Sequence, residues 1–533
     1  MKHINLFLLI LLLISLTSCM KDKFDVNEMG NNKWNPDIAA PVINTSLTMK
    51  NLMEEADSLD WQEDNDNFIY FLFAEELFSK EAKDIVTISD QVTDTTISWD
   101  MPVGLPPGDS ASQTVVFTTQ FDANSDIIDS ILLDKATLNY TIETNMNHDS
   151  KMEITVPGLT KNGNSFKTTL NLNYTGTLPQ VVSKSFNISD YKLEFSHSSS
   201  QNYLTANVKI TGYGDNNPNN SPYNFAISAG FSNIEYHSIF GYLSQYDIDL
   251  DQDSVEIDFF KDDSYGNIKF NDPTVRLRFY NSFGMPVEGV FNTIKSYKPG
   301  NEVELTQPSG APLANVYIDN PGINQMGDVV ITDYVLNNNN SNIVDVFNIN
   351  PHGLIYDVTG VGNPGGNNYN FILDTSALKV EAEVELPLFG SLENFVLRDT
   401  VDFNISQDMN DAGELQSADI QILVDNGFPV EANLQVYFAD SNNVVVDSLF
   451  EDGNIISGAP PGSPPNYKST ESVSKRSYIT KDKASIDNIV DATNAIIKVT
   501  MSTTNSGNNP VKVYSDYDIG VKLGVRTKFE TEF

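Results

Sequence analysis

Carboxylates and amides gathered in turns are the side chains of this sequence most able to do chemistry. Asp122, Asn124, Asp126 and Asp129 form one group, Asp262 and Asp263 a second, and Asp408, Asn410, Asp411 and Glu414 a third. Oxygen atoms at alternate positions suit calcium, so Asp122, Asn124, Asp126, Asp408, Asn410 and Glu414 are its candidate ligands. An EF-hand loop would also need a glycine and a glutamate where the first group has Ile127 and Leu133. Asp and Asn shape turns without any ion, by bonding their own backbone. Turn chemistry is therefore the preferred reading, and no cofactor is expected.

Other constellations lack a partner. His148, His197, His237 and His352 each stand without a second histidine three or four residues away, so no zinc pattern forms. No Gly-x-Ser-x-Gly elbow occurs. Gly360-Val361-Gly362-Asn363-Pro364-Gly365 fits the dinucleotide-binding glycine pattern formally, but that motif must open a helix whose N-terminus holds the pyrophosphate. Tyr369-Asn370-Phe371-Ile372-Leu373 follows and reads as a strand, so a hairpin loop is expected there. A glycosidase needs two carboxylates facing each other across a cleft, and no pair stands out among 72 acidic residues. No enzyme is expected, and a hydrolase is the weakest alternative.

The single cysteine, Cys19, ends Leu16-Thr17-Ser18-Cys19, which follows Lys2 and an apolar run over 4–16. Such a run has the shape of a secretory leader and is short for a membrane span. Leu16-Thr17-Ser18-Cys19 resembles the lipobox of bacterial prolipoproteins. The resemblance implies cleavage before Cys19 and lipid on its thiol, making 1–18 a signal peptide and 19–32 a lipidated tether. Trp34-Asn35-Pro36 resembles the start of Bacteroidota outer-membrane lipoproteins, which implies anchoring at the outer membrane and a partner among outer-membrane or surface proteins. Lys21-Asp22-Lys23 resembles the lysine-plus-acid cluster of their surface-displayed members, except that Lys23 stands where a second acid is expected. Cell-surface display is expected ahead of the periplasmic face. The triplet of Asp, Ser or Thr, and a small or apolar residue is similar to the Bacteroidota O-glycosylation site, and makes Ser58, Thr95, Ser110, Ser130, Ser254, Thr400 and Ser448 candidate acceptors.

The elements that must position these residues are strands. Hydrophobic residues at 40% with charged residues at 20% describe a core-bearing chain, and 533 residues suggest several domains. A net charge of -40 repels nucleic acid, so none is expected as a partner. With Cys19 acylated no thiol is left for a disulfide.

Motifs recur in the same order at roughly 140–150-residue spacing, the size of an autonomous domain. Val115 returns as Val255 and Val401 in similar surroundings, and Asn145 as Asn281 and Asn426. Ile188-Ser189-Asp190-Tyr191 returns as Ile331-Thr332-Asp333-Tyr334 and Tyr223-Asn224-Phe225 as Tyr369-Asn370-Phe371. Leu138, Tyr140 and Ile142 alternate with polar residues, as do Val275, Leu277 and Phe279, which predicts antiparallel sheets with one wet face.

The expectation is an all-β protein of three tandem antiparallel β-sandwich-like modules, 100–240, 241–389 and 390–533. An N-terminal segment, 33–99, precedes them with one short helix over 49–59, and short helices interrupt modules two and three near 342–347 and 483–492. The alternating end of the chain, 517–533, also resembles the closing strand of an outer-membrane barrel, but completing module three is preferred.

Together these point to a non-catalytic lipid-anchored envelope protein acting as scaffold or binding arm. A lipid- or glycan-binding carrier is the competing reading. Cys19→Ala is expected to leave the chain uncut or soluble. Fractionation with mass measurement checks this, and normal processing with recovery in the membrane would contradict it.

Overall fold

The computed structural model describes residues 33–34, 37–50, 61–249, 252–261, 266–366, 368–403, 414–490, 492–504 and 510–532. Cys19, the tether, Asn35, Pro36, Ser58, Asp262, Asp263, Asp408, Asn410, Asp411 and Phe533 lie outside them, as does the 49–59 helix beyond Met49 and Lys50. The chain is all-β, and its sheets are antiparallel. It forms two compact units, one of Met1–Phe71, Phe259–Asn271 and Pro387–Phe533, the other of Leu72–Asp258 and Asp272–Leu386.

One pairing pattern recurs three times. First, Ile127–Thr144 lies between Gln180–Asn187 and Tyr223–Tyr242, while Ser150–Lys161 pairs with Asn164–Leu172 and Gln201–Tyr213, and the latter with Ser110–Phe121. Next, Thr274–Asn281 lies between Val330–Leu336 and Ala377–Pro387, while Val287–Lys298 pairs with Asn301–Glu304 and Gly353–Gly362, and the latter with Asp253–Glu256. Last, Glu414–Asn426 lies between Val473–Asp482 and Asp518–Glu532, while Glu431–Ala439 pairs with Val445–Ser448 and Asn494–Ser502, and the latter with Phe395–Asp402. Each repeat is thus two facing sheets. Alternation sets the inner faces: Leu138, Tyr140, Ile142 and Thr144 are buried in the first, and Val275, Leu277, Phe279 and Asn281 in the second.

The N-terminal segment supplies one further strand to each repeat, in reverse order. Asp37–Thr48 pairs with Asp518–Glu532, Ile69–Glu81 lies beside Ala377–Pro387, and Gln91–Trp99 pairs with Tyr223–Tyr242. The last strand therefore has partners on both sides within the third repeat's sheet.

A buried polar side chain pins the same turn in each repeat. Asn281 Oδ1 accepts from Phe283 N at 2.9 Å, and its Nδ2 donates to the carbonyls of Met285 and Asp319. Asn426 does the same with Phe428 N and the carbonyls of Val430 and Ser457. In the first repeat Thr144 holds this place, its Oγ1 accepting from Met146 N at 3.2 Å. Strand register agrees, since Thr144, Asn281 and Asn426 lie opposite Phe225, Leu378 and Ile519. The expected match of Asn145 with these asparagines is therefore one residue off, and Asn145 is exposed. The match of Tyr223 with Tyr369 also fails. Tyr369–Leu373 is a separate short strand paired with the end of Tyr223–Tyr242, ahead of the strand that holds Leu378.

Connections differ where the chain crosses between sheets. Helices Ile343–Asn348 and Lys483–Val490 occupy the crossing in the second and third repeats, burying Ile343, Val346 and Phe347, and Ile486 and Ile489. In the first repeat the crossing carries Lys192–Glu194, which pairs with both Ile127–Thr144 and Ser150–Lys161 and so joins the two sheets along one edge. The glycine-rich 360–365 stretch is the end of strand Gly353–Gly362 and the start of a loop, and a strand follows it, as expected. It is not a hairpin, because Gly353–Gly362 and Tyr369–Leu373 pair with other strands.

Asn426→Ala strips the third repeat's turn of three buried hydrogen bonds. It is expected to cost about 2–4 kcal/mol, read as a lower denaturant midpoint; an unchanged midpoint would contradict the role given to this side chain.

Candidate functional site

Space between the sheets of the first repeat is the candidate site. Two alanines create it. On Gln201–Tyr213 the inward positions run Leu204, Ala206, Val208, and on Tyr223–Tyr242 they run Ile227, Ala229, Phe231. Each alanine interrupts a row of larger side chains, and side chains alone fill the gap between packed sheets. A cavity of about 90 Å³ results, with Phe117, Leu138, Ile154 and Val156 among its other walls.

The third repeat shows what fills such a space. By register Leu523 stands where Ala229 does, and Ile486 and Ile489 of the helix reach into the same region. Only about 20 Å³ is left there.

One polar group reaches the cavity from within. Tyr140 lines it and is 5% exposed, yet its hydroxyl makes no hydrogen bond among the described residues. Burial pushes that hydroxyl above the ordinary tyrosine range, so it stays a neutral donor. Leu277 and Ile422 occupy the matching positions in the other repeats, so this handle belongs to the first alone. The arrangement can hold an apolar group bearing one hydrogen-bonding atom.

Of the candidate calcium ligands, Asp122 and Asp126 bond the protein's own groups. Asp122 Oδ1 accepts from Asn124 N at 3.0 Å, an Asx turn, with Asn124 at φ 57°. Asp126 is 7% exposed; its Oδ1 accepts from Ser244 N and Oγ at 2.7 and 2.6 Å, and its Oδ2 from the Tyr246 hydroxyl. Burial and that carboxylate together push the Tyr246 hydroxyl far above its usual range. Glu414 begins a strand, and Asp408 and Asn410 lie outside the described residues. Among the described residues no three His, Cys, Asp or Glu side chains gather to hold a metal.

His148 is buried with Nδ1 2.7 Å from Asp215 Oδ1, and neither its Nε2 nor the nearby-numbered Ser150 hydroxyl has a hydrogen-bond partner. The two therefore do not bond each other, and the pair lacks the nucleophile contact a hydrolase of that type uses.

The proposed sugar acceptors separate by exposure. Ser110, Ser254 and Thr400 are exposed, and Ser448 is half-buried with its hydroxyl donating to Phe450 O. Ser130 is 8% exposed in a strand paired on both sides, and Thr95 lines the cavity. In the folded chain the Ser130 hydroxyl is therefore buried, while Thr95 is half-buried.

Sequence reading missed the cavity. Its signal was Leu204-Thr205-Ala206-Asn207-Val208 and Ile227-Ser228-Ala229-Gly230-Phe231, two alternating strands each with one small inward residue.

No family model matches the chain, and no curated protein matches it. Among solved structures, a Parabacteroides distasonis protein assumed to be secreted aligns over 53% of this chain and 82% of its own, at 12% identity and a TM-score of 0.31. An infectious bursal disease virus T=1 particle protein aligns over 91% and 84%, at 9% identity and 0.15. The tandem CBM22 domains of Paenibacillus barcinonensis Xyn10C align over 59% and 98%, at 9% identity and 0.12. Overlaps this loose carry no argument about fold or function.

Asp126→Ala leaves the Ser244 and Tyr246 donors buried without an acceptor and is expected to lower the melting temperature, with or without calcium. Wild-type protein is expected to melt at one temperature in chelator and in millimolar calcium. A calcium-dependent rise that Asp126→Ala abolishes would reinstate the ion.

Proposed function

We propose that this chain is a non-catalytic, lipid-anchored protein of the bacterial cell envelope whose first repeat carries a small apolar ligand between its sheets. The cavity of about 90 Å³ around the unpartnered Tyr140 hydroxyl is the observation that supports carriage. It favours the carrier over the scaffold. Apolar cavities do stay dry and take up small hydrocarbons, as an engineered one of about 150 Å³ takes benzene.

Leu16-Thr17-Ser18-Cys19 supports the anchor. Among the described residues no helix is long and apolar enough to cross a membrane, so lipid on Cys19 is the attachment this reading relies on. The acidic balance of -40 keeps the body soluble and away from anionic headgroups, which suits a carrier held at a membrane and standing off it. The outer membrane, with display on the cell surface, is the location this reading adopts, with glycosylation confined to exposed hydroxyls such as Ser110, Ser254 and Thr400.

The test fills the cavity. Ala206→Phe is expected to remove binding of a small aromatic probe such as 4-fluorophenol, followed by the fluorine NMR line of the probe, while the protein still melts cooperatively. Wild-type protein that leaves the free-probe line unchanged would overturn the ligand reading.

A further inference from the structure

Two pairs of facing edge strands in this repeat lack backbone pairing, but Asn164–Leu172 and Gln180–Asn187 contribute nothing to the cavity wall, which leaves one place where the cavity itself can open. Ser110–Phe121, Gln201–Tyr213, Ser150–Lys161, Lys192–Glu194, Ile127–Thr144, Tyr223–Tyr242 and Gln91–Trp99 follow in turn, each hydrogen-bonded to the next. The first and last of these face each other across the cavity, and no backbone pairing joins them. The seam is held by side chains. Thr93 Oγ1 and Thr119 Oγ1 are 2.5 Å apart, and the Gln91 amide exchanges two hydrogen bonds with the backbone of Asp122, at 2.9 and 3.0 Å.

The ends are shut by packing. At one, Phe121 lies against Phe195 and Phe231 with ring centroids 4.7 and 6.3 Å apart. At the other, Trp99, Met101 and Met146 crowd Gly212 so closely that a Cβ there would meet all three. Along the seam the inward-facing Thr93, Thr95, Phe117 and Thr119 are half-buried, as are Ala206 and Ala229 on the cavity floor, while the larger inward residues of the inner strands, such as Leu138, Ile154 and Leu204, are buried.

We infer that the apolar ligand enters and leaves sideways through the seam between Gln91–Trp99 and Ser110–Phe121, with the Thr93–Thr119 hydroxyl pair as its latch; this rests on the cavity being a ligand site. Parting any other pair of strands in this circuit breaks backbone hydrogen bonds, few where Lys192–Glu194 meets Ser150–Lys161 and many elsewhere, whereas parting these two breaks only side-chain bonds that water can replace. The ligand's body is a small ring or short branched alkyl group, and the one hydrogen-bonding atom it bears reaches the Tyr140 hydroxyl.

A disulfide across the seam tests this. Hydroxyls 2.5 Å apart bring the two β-carbons within reach of one. With Cys19 acylated, Thr93→Cys/Thr119→Cys in the full lipidated chain, held in phosphatidylcholine vesicles, has only those two thiols. 4-Fluorophenol uptake is followed by fluorine NMR against protein-free vesicles. The oxidised variant is expected to take up no probe when empty, to keep probe loaded before oxidation, and to recover exchange on reduction.

Thr93→Val/Thr119→Val keeps the shape and removes the latch, and exchange should quicken roughly fivefold to tenfold for one lost hydrogen bond. Unchanged exchange in the oxidised variant overturns the seam. If the cysteine variant fails to bind even when reduced, the valine variant decides, and unchanged exchange there overturns it. Wild-type protein that binds no probe instead overturns the ligand reading on which the seam rests.

Discussion

Backbone pairing between residues far apart in the chain is the constraint on which everything else here depends. Each repeat is completed by a strand from the segment before residue 100, and the third takes its strand from farthest away. Ser46 Oγ donates to Asp518 Oδ2 at 2.6 Å across 472 residues. Closing so long a loop costs entropy that must be met before the pairing stabilises anything. The third repeat's sheet is therefore incomplete until residue 518 and its neighbours exist. The reverse order follows from this assignment, the first N-terminal strand going to the last repeat and the third to the first.

One pattern of pairing yields three different interiors, because the pattern fixes strand positions and leaves side-chain volume free. In the third repeat Leu523 and the helix residues Ile486 and Ile489 fill the space. In the second, Tyr356 reaches across to donate its hydroxyl to Leu77 O, tying the inner sheet to the strand that the N-terminal segment supplies. In the first, Ala206 and Ala229 leave volume, no helix enters, and Lys192–Glu194 bridges part of one edge while the edge beside the cavity keeps only side-chain contacts. Cavity and seam are thus two results of the same local departure.

Some of the acidic residues shape the backbone or pair across strands. Asp122 and Asp440 bend turns by accepting backbone N–H groups, and those bonds hold the Asp440 carboxyl below its usual range. On the outer face of the second repeat, Arg278 forks onto Asp333 at 2.8 and 3.2 Å, Arg276 meets Glu383, and Lys379 meets Glu76 and Glu381. The Arg278 pairing lowers the Asp333 carboxyl. Such exposed pairs contribute little stability each, but they favour this cross-strand register.

Local pattern was enough to show the all-β class and the helices at 343–348 and 483–490, because alternation and helical spacing are properties of neighbouring residues. It also identified the asparagines that pin the turns at 281 and 426. It could not show that Thr144 does their work in the first repeat, since the role belongs to a buried position opposite Phe225 and a hydroxyl can fill it as an amide can. Nor could it tell that Asp126 meets Ser244 and Tyr246 instead of an ion, because those partners come from another strand. The cavity lay furthest from view. An alanine is unremarked in a strand; two alanines on facing sheets make a hole only when tertiary packing sets them together with nothing between, and the sequence carries each one separately.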